Sequence, residues 1–377
     1  MHKCKKNTIF AAFLWHSSMI TDDIFLELHR LLPRFADEQV FLITDEHVAS
    51  HCLPVFYEQI ADFGTLYLNT LRQHTLILPA GEEHKNLRTV QRIWDWLQQA
   101  GATRKAVVIL LGGGVLTDMG GFAAACYQRG IPFINIPTTL LSIVDASDGG
   151  KTGIDYGGLK NQIGLFRPAL ETIIWLPFLR TLPPEQLLSG WAEMIKHALI
   201  ASPLEWNRLM AFDIEQYIKS PDEAMEEEFR EILLRSMDIK RYVVEMDPEE
   251  QDMRRVLNLG HTVGHALEAE LIRRGEPQPH GYCVLWGMVS ELYLSHLCLG
   301  FPSETVSQLS RYMKDHYGAP GFSCRDYDRL IGHMQHDKKN TDSRISFTLL
   351  RHIGSPCVGS HATDDQIREA LDYIFAI

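Results

Sequence analysis

AVVILLGGGVLTDMGGF, at positions 106–122, passes from an uninterrupted apolar run through three glycines into a segment of small and apolar residues. The run Ala106 to Leu111 is too short for a buried helix and carries β-branched residues, so it reads as a strand covered on both faces. Gly112, Gly113 and Gly114 form a turn, and Val115, Leu116, Thr117 and Asp118 open a helix behind it. Glycine lets backbone approach a phosphate, and the N–H groups of a helix start face an anion. The pattern departs from G-x-G-x-x-G, so this stretch alone leaves two readings open, a nucleotide-phosphate turn and a tight strand-to-helix turn.

Outward from this turn the first half repeats the alternation. Strands are expected at Val40–Thr44, Thr75–Leu78 and Phe133–Ile136, with a helix over Asn86–Gln99 whose Val90, Ile93, Trp94 and Leu97 share one face. Strands alternating with helices predict a mostly parallel sheet in an α/β domain. A second phosphate or ribose candidate, Gly81-Glu82-Glu83-His84-Lys85, follows the run at Thr75; by itself it reads equally as a solvated helix start. After Leu182-Pro183-Pro184 the chain turns to long helical patterns over 221–246, 256–273 and 281–299. An isolated late strand is expected at 344–350 and a last helix from Thr363. The expectation is therefore two domains, 1–182 of α/β type and 183–377 mainly α-helical.

Composition narrows the function. The chain has 377 residues, 45% hydrophobic and 22% charged, which suits packed domains rather than a disordered or fibrous chain. A net charge of -12 argues against nucleic acid as a partner, because that binding needs a surplus of Lys and Arg. Seven cysteines, scattered and without a C-x-x-C pair, argue against a disulfide framework and for a reducing, cytoplasmic setting. The apolar run Ile9–Trp15 reads as a first strand rather than a signal segment, and nothing later reaches the roughly 18 apolar residues of a membrane span, so no membrane partner is expected.

The chemistry-bearing residues lie mainly in the second half. Arg254, Asn258, His261 and His265 are spaced four, three and four apart, which places them on one face of a single helix. Two histidines at i, i+4 can share a metal, although the glutamate of H-E-x-x-H is missing. Gly260 and Gly264 cost this helix about 1 kcal/mol each relative to alanine, which suggests close approach by a ligand or a neighbouring backbone. His280 opens the following helix, and Glu193 lies inside an apolar helix where an unpaired carboxylate is costly. One carboxylate and two imidazoles make a catalytic type of metal site.

Five blocks carry a resemblance: 112–164 from the glycine turn to Gly164, LPPEQLLSGWAEMIKHALI at 182–200, RRVLNLGHTVGHALE at 254–268, HGYCVLWGM at 280–288 and HDKKN at 336–340. Together, and in this order, they resemble the 3-dehydroquinate synthase family among the sugar-phosphate cyclases. The resemblance implies NAD as cofactor and a divalent metal, zinc or cobalt, on Glu193, His261 and His280. It places NAD on Glu82, Lys85, Gly114, Val115, Leu116, Thr117, Asp118, Thr138, Thr139, Lys151, Lys160, Phe178, Leu179, Arg180 and Thr181. It assigns a phosphorylated sugar acid to Arg129, Asp145, Lys151, Asn161, Lys196, Lys240, Arg254, Asn258, His265 and Lys338. It also implies that the sheet of residues 1–182 binds the nucleotide, that the active site lies in the cleft between the two domains, and that the enzyme is a homodimer.

The implied substrate is 3-deoxy-D-arabino-heptulosonate 7-phosphate, converted to 3-dehydroquinate and phosphate by transient oxidation, phosphate elimination, re-reduction and ring closure. Lys151 and His265 are expected at the phosphate end. Departures from the family pattern are Asp148, the stretch 154–158, Tyr282 after Gly281, and Leu259 before Gly260. Rival readings are another sugar-phosphate cyclase, a metal-dependent polyol dehydrogenase, and a non-catalytic nucleotide-binding scaffold.

Overall fold

The computed structural model describes residues 18–146, 149–157, 159–335 and 344–376. The strand expected at Ile9–Trp15, the departure at Asp148 and the substrate candidate Lys338 lie outside these residues.

Runs of β-branched and apolar residues build one six-stranded sheet, ordered β1-β8-β5-β4-β2-β3, in which every pairing is parallel. Its strands are β1 (Ser18–Ile20), β2 (Val40–Asp45), β3 (Thr75–Leu78), β4 (Val107–Gly112), β5 (Phe133–Pro137) and β8 (Glu171–Ile174). α1 (Ile24–Leu31) precedes β2, and α2 (Glu46–His51), α3 (Leu53–Gln59) and α4 (Thr65–Gln73) connect β2 to β3. α5 (Leu87–Gln99) begins at Asn86, whose side chain accepts from the N–H groups of Arg88 and Thr89, a capping geometry its sequence position invites. α6 (Gly114–Cys126) follows the glycine turn, and the sheet has a separate apolar core on each side.

Between β5 and β8 the chain inserts an antiparallel ribbon, β6 (Lys151–Tyr156) with β7 (Leu159–Phe166), which the sequence reading did not anticipate. Gly153 and Gly164 face each other there: a Cβ on Gly164 would stand 2.3 Å from the Thr152 carbonyl oxygen. The alternation is masked by glycines that permit this close pairing.

The second half is helical, with α7 (Pro184–Ala201), α8 (Pro203–Ala211), α9 (Ile214–Lys219), α10 (Glu223–Met246), α11 (His261–Arg274), α12 (His280–Leu299), α13 (Ser303–Tyr317), α14 (Tyr327–Gln335) and α15 (Asp364–Phe375) around one large core. α12 is long and apolar enough to pass for a membrane span, but it runs through this core, and 67% of its span-length window is buried.

Two expectations need correction. The late strand is not isolated: β9 (Phe347–Leu350) pairs antiparallel with β10 (Pro356–Ser360), and Gly354 in the turn between them has φ 81°. The single helix expected over 256–273 is two elements. Met253–Asn258 is a 3-10 turn, and Gly260 at φ 79° breaks the path before α11 begins at His261. Arg254 and Asn258 therefore do not continue the α-helical face of His261 and His265. Periodicity counted across this stretch assumed one axis where the glycine makes two.

Candidate active site

Glycines bring three helices into unusually close contact. A Cβ at Gly281 would stand 2.0 Å from the Ser189 carbonyl oxygen, so only glycine lets the start of α12 meet α7. The Gly281 N–H donates to Ser189 Oγ at 2.9 Å and fixes that contact. Between α12 and α11, a Cβ at Gly287 would lie 2.0 Å from the Gly260 carbonyl oxygen, and one at Gly264 would lie 2.8 Å from that of Cys283. The neighbouring-backbone explanation for Gly260 and Gly264 is thus the one the structure supports. Glu193 on α7, His261 at the start of α11 and His280 at the start of α12 converge as a result.

Glu193 is fully buried, and its Oε1 lies 3.7 Å from Nε2 of His261 and 3.7 Å from Nε2 of His280. Nδ1–H of His261 donates to the Leu259 carbonyl oxygen at 3.1 Å, because a carbonyl only accepts, and this turns Nε2 toward Glu193. Nδ1 of His280 lies 3.4 Å from Glu268 Oε2, which favours the same tautomer. Burial opposes a charge on Glu268, but His280 and Lys160 overcome it and hold its pKa well below the carboxylate range. Glu291 fixes the entrance to α11, accepting from the N–H groups of Gly260 at 2.7 Å, Thr262 at 3.0 Å and Val263 at 3.1 Å.

These residues fit a divalent cation. Glu193 Oε1 is buried with no hydrogen-bond partner, a costly state that a cation would relieve. Two ligands of one zinc ion at about 2.0–2.1 Å stand roughly 3.4 Å apart in a tetrahedron, so the observed separations need only a small closure. His265 is also present: ligand atoms of His261, His265 and His280 all lie within 4.8 Å of one another. A second cluster, Asp145, Glu193 and His197, is equally compact, but Lys240 pairs with Asp145 and Lys196 with Glu193. Lys196 borders both clusters through Glu193, but the Lys240 ammonium on Asp145 is particular to this one and makes it the poorer cation site.

The expected anion-binding residues fall into several groups. Lys240 donates to Asp145 at 2.6 Å; burial pushes the Asp145 carboxyl up, yet Lys240 and Lys196 hold its pKa well below the usual range. Lys151 pairs with Glu250, which also accepts from Asn258 Nδ2 at 3.4 Å. Arg254 reaches back to the Pro248 carbonyl at 2.7 Å and the Gly149 carbonyl at 3.3 Å. Lys196 is buried against Glu193 and abuts the acid–imidazole cluster. Arg129 is exposed at the end of a turn with φ 72° and makes no hydrogen bond with these groups among the described residues.

On the sheet side, β3 extends one way from β2, and the chain then crosses to β4 on the other side of β2. Ligands of open parallel sheets bind at such a reversal, beyond the carboxyl ends of the strands, where Gly112–Gly114 turn into α6. Lys85 is buried and donates to Asp118 at 2.7 Å and to Asn161 at 2.8 Å. Burial pulls the Lys85 pKa down, but Asp118 and Glu82 raise it overall, so the ammonium stays charged. Asn161, expected among the substrate residues, accepts from Lys85 in this group, at φ 51°.

Lys160 lies 3.5 Å from Glu82 and 2.9 Å from Glu268, spanning the two halves. Thr138 hydrogen-bonds through its N–H to Gly112 and keeps a buried Oγ1 without a partner; Thr139 bonds Ser142. Phe178 and Leu179 are buried packing residues, and Thr181 meets Cys52 at 3.3 Å. Arg180 turns away to Glu226 and the Tyr217 ring.

Three residues of this region escaped the sequence reading. Glu250 sits in an acidic run, 247–250, indistinguishable from a solvated surface; its positive φ of 58° is a tertiary fact. Glu268 is flanked by Leu267 and Ala269, the same signal that marked Glu193, and could have been singled out on that ground, whereas His197 directly follows Lys196. His197 is fully buried, with Nδ1 2.8 Å from Ser236 Oγ.

A parallel sheet with a glycine turn at its reversal, joined to helices that bring a carboxylate and imidazoles together, is a fold shared with solved enzymes. The chain superposes on 2-epi-5-epi-valiolone synthase from Streptomyces hygroscopicus, solved with NAD+ and Zn2+, with TM-score 0.80 and 24% identity, covering 98% of this chain and 99% of that one. It superposes on 2-deoxy-scyllo-inosose synthase, solved with carbaglucose-6-phosphate, NAD+ and Co2+, with TM-score 0.76 and 23% identity over 93% and 95% of the two chains.

Sequence is more specific. Residues 75–189 match the family model 3-dehydroquinate synthase N-terminal, and residues 190–340 match 3-dehydroquinate synthase C-terminal. The chain is 42% identical to the 3-dehydroquinate synthase of Parabacteroides distasonis over 94% of its own length and 96% of the relative's. It is 38% identical to that of Pseudomonas fluorescens over 90% and 88%. The chain belongs to the 3-dehydroquinate synthase family.

Proposed function

We propose that this enzyme converts 3-deoxy-D-arabino-heptulosonate 7-phosphate to 3-dehydroquinate and inorganic phosphate, using NAD and a divalent cation, zinc with cobalt as a substitute. Full-length relation to 3-dehydroquinate synthases carries the reaction. The supporting geometry is the buried Glu193 Oε1, without a hydrogen-bond partner and 3.7 Å from Nε2 of both His261 and His280. In this reading residues 1–182 hold the nucleotide and 183–377 supply the cation and substrate ligands, and the enzyme works as a homodimer. The six described cysteines, all free thiols, suit a reducing cytoplasm.

When bound, NAD supplies a reversible hydride acceptor and the cation a Lewis acid for the reacting hydroxyl. Everything else falls to the chain. Lys151, held by Glu250, and His265, one turn along α11 from His261, serve the phosphate end, His265 holding or passing a proton at a ring nitrogen. Lys196, Lys240 and Arg254 supply positive charge for the carboxylate and phosphate; their partners in the structure, acidic side chains and carbonyls, are groups an anionic substrate can displace. Asp145 orients substrate hydroxyls through its remaining acceptor positions. Asp118 and Lys85 shape the nucleotide end beside the α6 N-terminus.

The test supplies the heptulosonate phosphate with catalytic NAD and zinc and follows phosphate, the cyclic ketone and absorbance of reduced nicotinamide together. Equal yields of phosphate and ketone without net reduction support the reading. Stoichiometric NADH from a polyol would favour a dehydrogenase, and phosphate release only from a heptulose phosphate lacking the carboxylate would favour another cyclase.

A further inference from the structure

The Glu268 carboxylate belongs to neither proposed ligand set, yet it touches both. Its Oε2 lies 3.4 Å from Nδ1 of His280, and its Oε1 lies 2.9 Å from the Lys160 ammonium. Lys160 in turn stands 3.5 Å from Glu82, across the crevice on the sheet side. Glu268 is 6% exposed, so these contacts are made away from bulk water, where they are weakly screened. Its side chain leaves α11 near the third turn, while His280 starts α12; the contact therefore joins the two helices at the imidazole itself.

A metal-bound imidazole works best when its other nitrogen donates to a fixed acceptor, because this selects the tautomer, sets the ring orientation and raises the basicity of the ligating nitrogen. His261 uses the Leu259 carbonyl for this purpose. His280 has Glu268, a charged acceptor, and the far oxygen of that acceptor is held by a lysine from the other half of the protein.

We propose that Glu268 is the positioning residue of His280, and that through Lys160 it ties cation affinity to the placement of the nucleotide-side ribbon. The inference rests on the metal reading of Glu193, His261 and His280. It adds that the strength of the cation site is set partly by a residue of the β6–β7 ribbon, which contributes no ligand.

Zinc affinity of the full-length protein, measured by competition with a chromophoric chelator in the absence of NAD and substrate, tests this. Glu268→Gln keeps the side-chain volume but removes the charge, and should weaken zinc binding by about 10–100-fold while the far-UV spectrum and the apo-protein melting midpoint stay near those of the parent. Glu268→Asp, should the amide variant fold poorly, keeps the acceptor at shorter reach and should fall between the two. Lys160→Met should weaken zinc binding in the parent but change it little in the Glu268→Gln background, since the link is already cut.

Parent-like zinc affinity in Glu268→Gln, or fully additive effects of the two substitutions, would overturn the inference while leaving the metal reading intact. The reading itself is checked by His261→Ala in the same assay. Undiminished zinc binding there overturns the reading and the inference together.

Discussion

Gly281 rests directly on the backbone of Ser189, with its N–H donating to the Ser189 hydroxyl at 2.9 Å and no room between them for a methyl group. This contact seats the start of α12 against α7, one turn before Glu193, and so determines where His280 stands.

Gly281→Ala should therefore act on stability and cation binding at once. A Cβ 2.0 Å from the Ser189 carbonyl oxygen forces the helices apart, and overpacking of this kind costs about 1–3 kcal/mol. Chemical denaturation should report that loss, and zinc titration a weakened site. A variant with unchanged midpoint and unchanged zinc affinity would contradict the contact.

Glu291 links α12 to the N-terminus of α11 by accepting three backbone N–H bonds. Glu291→Ala strands buried donors around Gly260 and His261, and hydrogen bonds to a charged group contribute about 1.5–3 kcal/mol. The expected outcome is a loss of at least that size in urea unfolding, with amide exchange accelerated at residues 260–263. Exchange rates identical to the parent's would rule out the capping role.

His197 should make the protein acid-sensitive. Burial, followed by the nearby Lys196 and Lys240, pushes its pKa well below the ordinary 6.5. The folded state therefore refuses a proton that the unfolded chain accepts. Stability from this group is complete above pH 6.5 and declines as pH falls below it, by up to about 1.4 kcal/mol per pH unit. His197→Gln should flatten the difference in unfolding free energy between pH 7 and 5.5. Parallel pH profiles for the two proteins would refute the account.

Lys151 pairs with Glu250, although it lines one small pocket together with Asp118. Lys151→Ala is expected to slow phosphate release by one to several orders of magnitude, in the range lost when a charged group contacting a transferring phosphate is removed, roughly 2–4 kcal/mol, with NAD affinity changed less than threefold. Single-turnover phosphate release and NAD titration measure the two. Equal losses in both would place Lys151 with the cofactor.

Much of the sheet half could be read from residues alone. Val40–Thr44, Thr75–Leu78, Ala106–Leu111 and Phe133–Ile136 each lie at or within one residue of an observed strand, because strands buried on both faces leave continuous apolar runs. Asn86 and Thr363 announced their helices by capping chemistry that is local in sequence. The β6–β7 ribbon, rich in glycine and polar residues, carried no such run and was missed. The break at Gly260 was missed for a related reason: a glycine within a helical pattern is compatible with both a helix interior and a left-handed turn, and only the approach of Met288 and Val284 selects between them.

The chain by itself determined a parallel sheet with a glycine turn followed by a helical half, and it marked Glu193 by its apolar helix, His261 by a stripe of polar residues and His280 by its place at a helix start. Only the tertiary structure decided that these three meet, that Lys196 and Glu268 stand beside them, and that Asn161 accepts from Lys85. The reason is physical. Periodicity and capping report interactions within a few residues, whereas contacts between residues 193, 261 and 280 depend on how closely helix backbones can pack, which here is set by glycines whose function is visible only beside their neighbours.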